Sequence, residues 1–324
     1  MGKRAIDVGL IITTVEDRER DWILSWHDIK ELVIAGEDAG FDSVWIPDHL
    51  IHEPVGVEPY GIWEAWSLIS ALAAVTHRIR IGPHVLCTGW RNPAMIAKMA
   101  DTVDEISNGR LILALGAGWH EPEYRAFGFP FDHRIGRFAE SLEIICTLLR
   151  DGSVTYKGDF CEAIECELRP RGPSAGGPPI MIGTIAGTPL GGWLGIERGG
   201  DRVLDLVARY ADIWNCPIAN DPALIPGIRE TIDSACVRNG RDPKTLVRTN
   251  GLAFNLPGWE STPGNPNIRE RRLAMGATEG SPAALAEILW RFAEEGVSEV
   301  HVQLDPETPA GIEQFARTLE LLDA

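Results

Sequence analysis

Ile79-Arg-Ile-Gly-Pro-His-Val-Leu-Cys-Thr-Gly-Trp-Arg-Asn-Pro93, followed by Asn108-Gly-Arg-Leu-Ile-Leu-Ala-Leu-Gly-Ala-Gly-Trp-His-Glu121, decides the reading of this chain. Each stretch is an apolar strand that runs into a loop of Gly, His, Trp and Asn and then into a helix. A parallel sheet delivers functional groups in this way, at the carboxyl ends of its strands.

Working outward, the same unit recurs. Apolar runs fall at residues 5–12, 43–47, 79–86, 111–115, 180–182, 212–216, 247–255 and 299–304, each followed by a segment of helical periodicity. Eight strand-helix units predict an α/β fold, a (βα)8 TIM barrel with loop insertions at its C-terminal face. Gly40, Gly109 and Gly296 stand where a helix C-cap needs positive φ. In residues 133–150 the positions Ile135, Phe138, Leu142, Ile145 and Leu149 form one stripe that can lie against barrel strands. Asn92 before Pro93, and Ser281 before Pro282, read as N-caps followed by Pro at the first helical position. The strands read as continuous Ile, Val and Leu runs, the pattern of a sheet buried on both faces.

A barrel needs about 250 residues before insertions, and 324 are present with no composition break, so residues 1–324 read as one domain. The surplus falls in two Gly- and Pro-rich loops, 157–179 and 184–200, and in an irregular segment, 256–275, that contains Trp259 and reads as a lid over the barrel mouth.

The net charge of −17, from 30 basic against 47 acidic residues, argues against nucleic acid or an anionic membrane as partner, since both require a basic face. A small-molecule substrate is expected instead. No apolar run reaches the length of a membrane span and the N-terminus leads straight into a strand, so a cytoplasmic location is expected. Cys87, Cys146, Cys161, Cys166, Cys216 and Cys236 show no paired spacing and read as free thiols.

The chemistry candidates cluster at strand ends: Asp48 and His49; His84 and Val85; Gly116 to Glu121; Gly183 and Thr184; Asn215 and Cys216; Gln303 and Asp305. His49 and His52, with Asp48 and Glu53 beside them, are the one grouping with metal-ligand character. It lacks the spacing of a helical zinc motif, and no metal is expected. Gly199-Gly-Asp-Arg202 opens a helix over 203–210, where backbone N–H groups and the helix dipole suit a phosphate. Trp63, Trp66, Trp90, Trp119, Trp193 and Trp259 suggest an aromatic-lined cleft, although so many Trp residues also serve packing.

Residues 39–50 (Ala-Gly-Phe-Asp-Ser-Val-Trp-Ile-Pro-Asp-His-Leu), His84-Val85, residues 108–119 and residues 203–215 (Val-Leu-Asp-Leu-Val-Ala-Arg-Tyr-Ala-Asp-Ile-Trp-Asn) together resemble the bacterial luciferase-like monooxygenase superfamily. The resemblance covers nearly the whole chain. It is nearer to the branch that uses the deazaflavin coenzyme F420 than to the FMN enzymes, which usually carry an Asn-Val-Val-Thr/Ser segment where this chain has Leu-Gly-Ala-Gly-Trp. It implies an F420-dependent oxidoreductase acting as a homodimer on a small organic substrate. An FMN-dependent monooxygenase using O2 and a non-catalytic cofactor-binding barrel are the alternatives.

The resemblance also implies roles. Asp48 would contact the edge of the deazaflavin ring, and His49 would stand beside the substrate. His84-Val85 would form a cis-peptide bulge behind the ring, with Ala117, Gly118 and Trp119 flanking it. Gly183, Thr184, Gly199, Gly200 and Arg202 would hold the phosphate, and Asn215 and Cys216 complete the expected cofactor set. Two departures stand out. Relatives acting on sugar phosphates or secondary alcohols place Trp four residues after the His and Glu after the Gly-x-Gly, where this chain has Glu53 and Trp119. Residues 184–198 look like an insertion into the phosphate loop.

A deazaflavin carries hydride, so the protein must position a substrate and manage a proton. Histidine is the residue type suited to that near neutral pH. His49 is the expected proton carrier, with His120 and Glu121 in reserve, His84 structural and His52 at the mouth.

Overall fold

The computed structural model describes residues 4–16, 23–52, 59–184, 200–216, 219–258 and 276–324. Its first half runs β1 Asp7–Ile11, α1 Trp26–Ala39, β2 Ser43–Ile46, β3 Ile51–His52, β4 Tyr60–Gly61, α2 Ala65–Val75, β5 Arg80–Pro83, β6 Leu86–Cys87, α3 Pro93–Ser107, β7 Leu113–Gly116, α4 Glu121–Phe127 and α5 Arg134–Asp151. The second half runs β8 Ser153–Lys157, β9 Glu162–Glu167, β10 Ile180–Gly183, α6 Gly200–Tyr210, β11 Ile213–Cys216, α7 Ile225–Arg238, β12 Val247–Asn255, β13 Thr278–Glu279, α8 Pro282–Glu294, β14 Glu299–Asp305 and α9 Pro309–Leu322.

The large sheet has the order β5-β2-β1-β14-β12-β11-β10-β7-β6, with every pairing parallel. β5 and β6 are one barrel strand interrupted at His84-Val85, whose peptide is cis. β5 pairs with β2 and β6 with β7, and an Ile81–Leu111 bridge adds to the seam, so the sheet closes. The expected TIM barrel is the fold, and its eight strands are the eight apolar runs.

Helix boundaries follow local chemistry. The Asn92 side chain accepts the Met95 N–H and Pro93 follows, while Ser281 does the same for α8. Asn108 and Gly109 both take positive φ after α3, and Gly40 and Gly296 do so after α1 and α8. On α5, Phe138, Leu142, Ile145 and Leu149 are buried and Ile135 is partly buried against the same core.

Three expectations are revised, and two fall largely outside the described residues. Loop 157–179 is partly regular: β8 and β9 form an antiparallel hairpin. Helix α6 begins at Gly200, three residues earlier than expected. Residues 185–199, and 259–275 of the expected lid, lie outside the described residues. The barrel interior is also less apolar than continuous hydrophobic strands imply. One part is Ile11, Trp45, Ile112, Ala114, Met181 and Ile213, but β14 alternates, and Glu299 and His301 are buried beside Ser43 and Trp45.

All six cysteines are free, four of them buried. Among the described residues no helix is long and apolar enough to cross a membrane.

Candidate functional site

The chain leaves β2 through Pro47 and presents Asp48 and His49 in opposite roles. Asp48 is buried. Its carboxylate accepts two bonds from Arg91, at 2.8 and 2.9 Å, and the Cys87 N–H at 2.7 Å. Burial pushes the Asp48 carboxyl up, and Arg91 counteracts this. Arg91 also bonds Glu64 at 2.7 Å, and Glu64 caps α2 through the Trp66 and Ser67 N–H groups. The Asp48 side chain is thus committed to tying β2 to the turn after β6, and only its backbone remains for a ring edge. The same commitment corrects the grouping of Asp48 with His49 as metal-ligand candidates; Glu53 and the His52 side chain lie outside the described residues.

His49 turns the other way. Its Nδ1 lies 3.1 Å from each oxygen of Glu123, a carboxylate 1% exposed. Oε1 of Glu123 also accepts the Leu50 and Ile51 N–H groups, at 2.7 and 3.2 Å. His120 Nδ1 approaches Oε2 at 3.3 Å, off the hydrogen-bond direction, in a side chain that is itself buried. Trp119 is 42% exposed and packs edge-on to His49, ring centroids 5.7 Å apart, and against His120 at 5.1 Å. Donor atoms of His49, His120 and Glu123 all lie within 4.8 Å of one another, a spacing that also suits a metal ion. The expected reserve Glu121 is exposed at the start of α4, outside this group.

On the neighbouring strand ends Val85 sits half-buried between two glycines. A Cβ on Gly116 would come 2.7 Å from Val85 Cγ2, and one on Gly183 2.9 Å from Cγ1. Gly118, at φ 71°, has no room for a side chain: a Cβ there would overlap Tyr124 Oη and lie 2.6 Å from Cys87 Sγ. Tyr124 Oη in turn donates to the Ala117 carbonyl, and Arg134 to that of Gly118. The result is a floor of backbone and one valine, held from behind by Cys87, Tyr124 and Arg134.

Deeper inside the barrel, His84 Nε2 lies 3.1 Å from His301 Nδ1, and the His301 ring lies 4.2 Å from that of Trp45. Burial pushes His84 down to about 4, and it holds His301 well below the ordinary histidine value. Both rings are neutral near pH 7. Asn215 donates to Thr249 within the same interior. The adjacent Cys216 does not join it, because successive strand side chains alternate, and its thiol lies in the layer between sheet and helices, pushed up to about 12 by burial. Thr184 follows β10, half-buried, and its N–H bonds the Asn215 carbonyl. Gly200 and Arg202 are exposed in the first turn of α6, and Gly199 lies outside the described residues. Trp66 and Trp90 are buried packing residues and do not line a cleft; Trp63 is exposed, and Trp193 and Trp259 lie outside the described residues.

Sequence reasoning passed over Glu123, Arg91 and His301. A signal existed for Glu123: His120 and Glu123 are three apart at a helix start, a spacing that brings side chains together, whereas adjacent Glu121 diverges. His301 was signalled by the polar-apolar alternation of Glu299-Val-His-Val-Gln-Leu-Asp305. Arg91 carried none.

A floor that carries no side chain at Gly116, Gly118 or Gly183 would suit a planar carrier with a phosphate-bearing tail. Val85 leaves no room for a Cβ at Gly116 or Gly183, Tyr124 and Cys87 leave none at Gly118, and the first turn of α6 offers backbone N–H groups.

Comparison with known proteins gives the family. The profile of the luciferase-like monooxygenase family matches residues 6–252. An F420-dependent glucose-6-phosphate dehydrogenase of Amycolatopsis mediterranei is 34% identical over 205 residues, covering 57% of this chain and 60% of that protein. Pyrimidine monooxygenase RutA of Rhizobium rhizogenes is 32% identical over 233 residues, 67% of this chain and 58% of that protein. The chain thus spans about 60% of the length of these curated relatives. Among solved structures, an F420-dependent secondary alcohol dehydrogenase in complex with an F420-acetone adduct superposes with a TM-score of 0.76 at 19% identity, over 98% of this chain and 99% of that one.

Proposed function

We propose, from the premise that the chain belongs to the luciferase-like monooxygenase family of oxidoreductases, that it takes F420 as hydride carrier and acts on a small organic substrate at the barrel mouth. The observation that carries this reading is the gathering of His49, Trp119, His120 and Glu123 at the ends of β2 and β7, beside the Val85 floor. A TIM barrel presents its chemistry at those ends.

Val85, Ala117 and Gly118 would carry the ring, with Gly183, Thr184 and the start of α6 at Gly200 and Arg202 toward the phosphate. The bound deazaflavin supplies two-electron hydride chemistry. The chain supplies the rest. Trp119 offers an exposed aromatic face to the substrate, and His49 holds the proton that leaves or joins the substrate as the hydride does. Residues 1–324 are taken as one domain, because one sheet draws its strands from the whole length of the chain, from β1 at Asp7 to β14 ending at Asp305.

FMN is the alternative cofactor, favoured by the identity to a pyrimidine monooxygenase. Fluorescence titration with oxidised and reduced F420 and with FMN separates the two. Saturable F420 binding, with FMN weaker, is the expected result. Tight FMN binding without affinity for F420 would reverse the assignment, and binding of neither would leave a barrel without this chemistry.

A further inference from the structure

Both carboxylate oxygens of Glu123 face named partners in the mouth. The residue stands in the first turn of α4, where a negative charge suits the helix dipole. Its oxygen Oε1 accepts two backbone N–H groups, from Leu50 and Ile51, which follow His49 directly in the chain. One carboxylate therefore fixes the backbone that carries His49 and, at 3.1 Å, the imidazole itself. His120 closes on the other oxygen at 3.3 Å.

A carboxylate in this setting accepts hydrogen bonds and has none to give. The nitrogen facing it must carry the proton. In the neutral ring that leaves the lone pair on Nε2.

We infer that Glu123 is the positioning residue of this site: it holds His49 in the Nδ1–H form, so that Nε2 is the atom that takes the substrate's proton or, once protonated, returns it. The inference rests on the reading of His49 as proton carrier, but its first part is independent of any cofactor. When Nε2 is protonated the imidazolium keeps its bond to the carboxylate, and the positive charge is offset where it forms. His120, buried against Oε2, limits the carboxylate to one seat.

The test reads the tautomer directly. In full-length protein labelled with 15N-histidine, His49 is assigned by the signals missing from His49→Gln. In the unmodified protein Nδ1 is expected to appear protonated and Nε2 unprotonated. Glu123→Ala removes the acceptor, and the two resonances should exchange places, toward the Nε2–H form that free imidazole prefers. Glu123→Gln keeps an amide oxygen for the Leu50 and Ile51 N–H groups but turns its NH2, a donor, toward Nδ1, so it should also give the Nε2–H form while the backbone ties stay, a result that general loss of packing would not explain. Should the Ala variant not fold, the Gln variant and unmodified protein still decide the matter, because Nε2–H in the unmodified protein, or Nδ1–H kept in the Gln variant, would overturn the assignment. So would a tautomer unmoved in Glu123→Ala. Stoichiometric Zn2+ binding that needs His49, His120 and Glu123 together would also overturn it, by giving the carboxylate to an ion. A tautomer that behaves as expected while His49→Ala leaves turnover intact supports the Glu123 assignment and overturns the proton-carrier reading instead.

Discussion

His49 and Asp48 are neighbours in sequence and opposites in use. Successive residues leaving a strand diverge, so Asp48 turns inward to Arg91 and His49 turns across the mouth to Glu123 and Trp119. Their adjacency at a strand end was legible in the sequence; which of the two faces the substrate was not, because that depends on partners 43 and 74 positions away. If His49 moves the proton, His49→Ala should lower kcat by about 10² to 10⁴ on any substrate the enzyme turns over, with F420 affinity measured by fluorescence nearly unchanged. Near-normal kcat with a lower Tm would instead make His49 a structural residue and pass the proton to His120.

At the scale of elements, the mouth is assembled by a few polar ties between segments that share no backbone pairing. Arg91, in the turn after β6, joins Asp48 at the end of β2 to Glu64 at the N-cap of α2. Asp48 is fully desolvated and Arg91 nearly so. Replacing Arg91 by Leu leaves a buried carboxylate without its counter-charge, and breaking a pair in that way costs roughly 3 to 5 kcal/mol. Burial already raises the Asp48 carboxyl, and its protonated form needs no partner. The deficit against the unmodified protein should therefore be largest at neutral pH and shrink as pH falls, as urea unfolding at pH 7 and pH 5 would show. Equal deficits at both would mean that Arg91 acts through packing alone. Element boundaries were mostly readable, since Asn92, Ser281 and Gly40 act within one turn of themselves. The spacing of His120 and Glu123 at the start of α4 was readable too, but that Glu123 and not Glu121 faces His49 depends on how α4 packs against the end of β2.

At the scale of the molecule, the barrel encloses a polar interior of Ser43, Glu299, His301, His84, Asn215 and Thr249. His84 titrates near 4 in the folded barrel against about 6.5 in an unfolded chain. Between those values the unfolded state binds more protons, so the barrel loses stability as pH falls through the window. From pH 7 to pH 5 the share due to His84 is about 2 kcal/mol. His84→Asn should flatten the pH dependence of unfolding by about that amount. Since Glu299, raised by burial, contributes with the opposite sign, the comparison is between variant and unmodified protein at each pH. Parallel profiles would show that water reaches the His84 ring freely.

The sequence by itself determined the barrel, its eight strands, the helix caps, and the strand ends where functional groups had to appear, because periodicity and capping are local and repeat along the chain. It placed His49, Val85, Gly118 and Trp119 at the mouth for the same reason. Only the tertiary structure decided that Asp48 belongs to Arg91, that Cys216 faces away from Asn215, that His84 meets His301, and that Glu123 holds His49. Those pairings join residues far apart in the chain, and they form only where closure of the sheet brings the strand ends onto one rim.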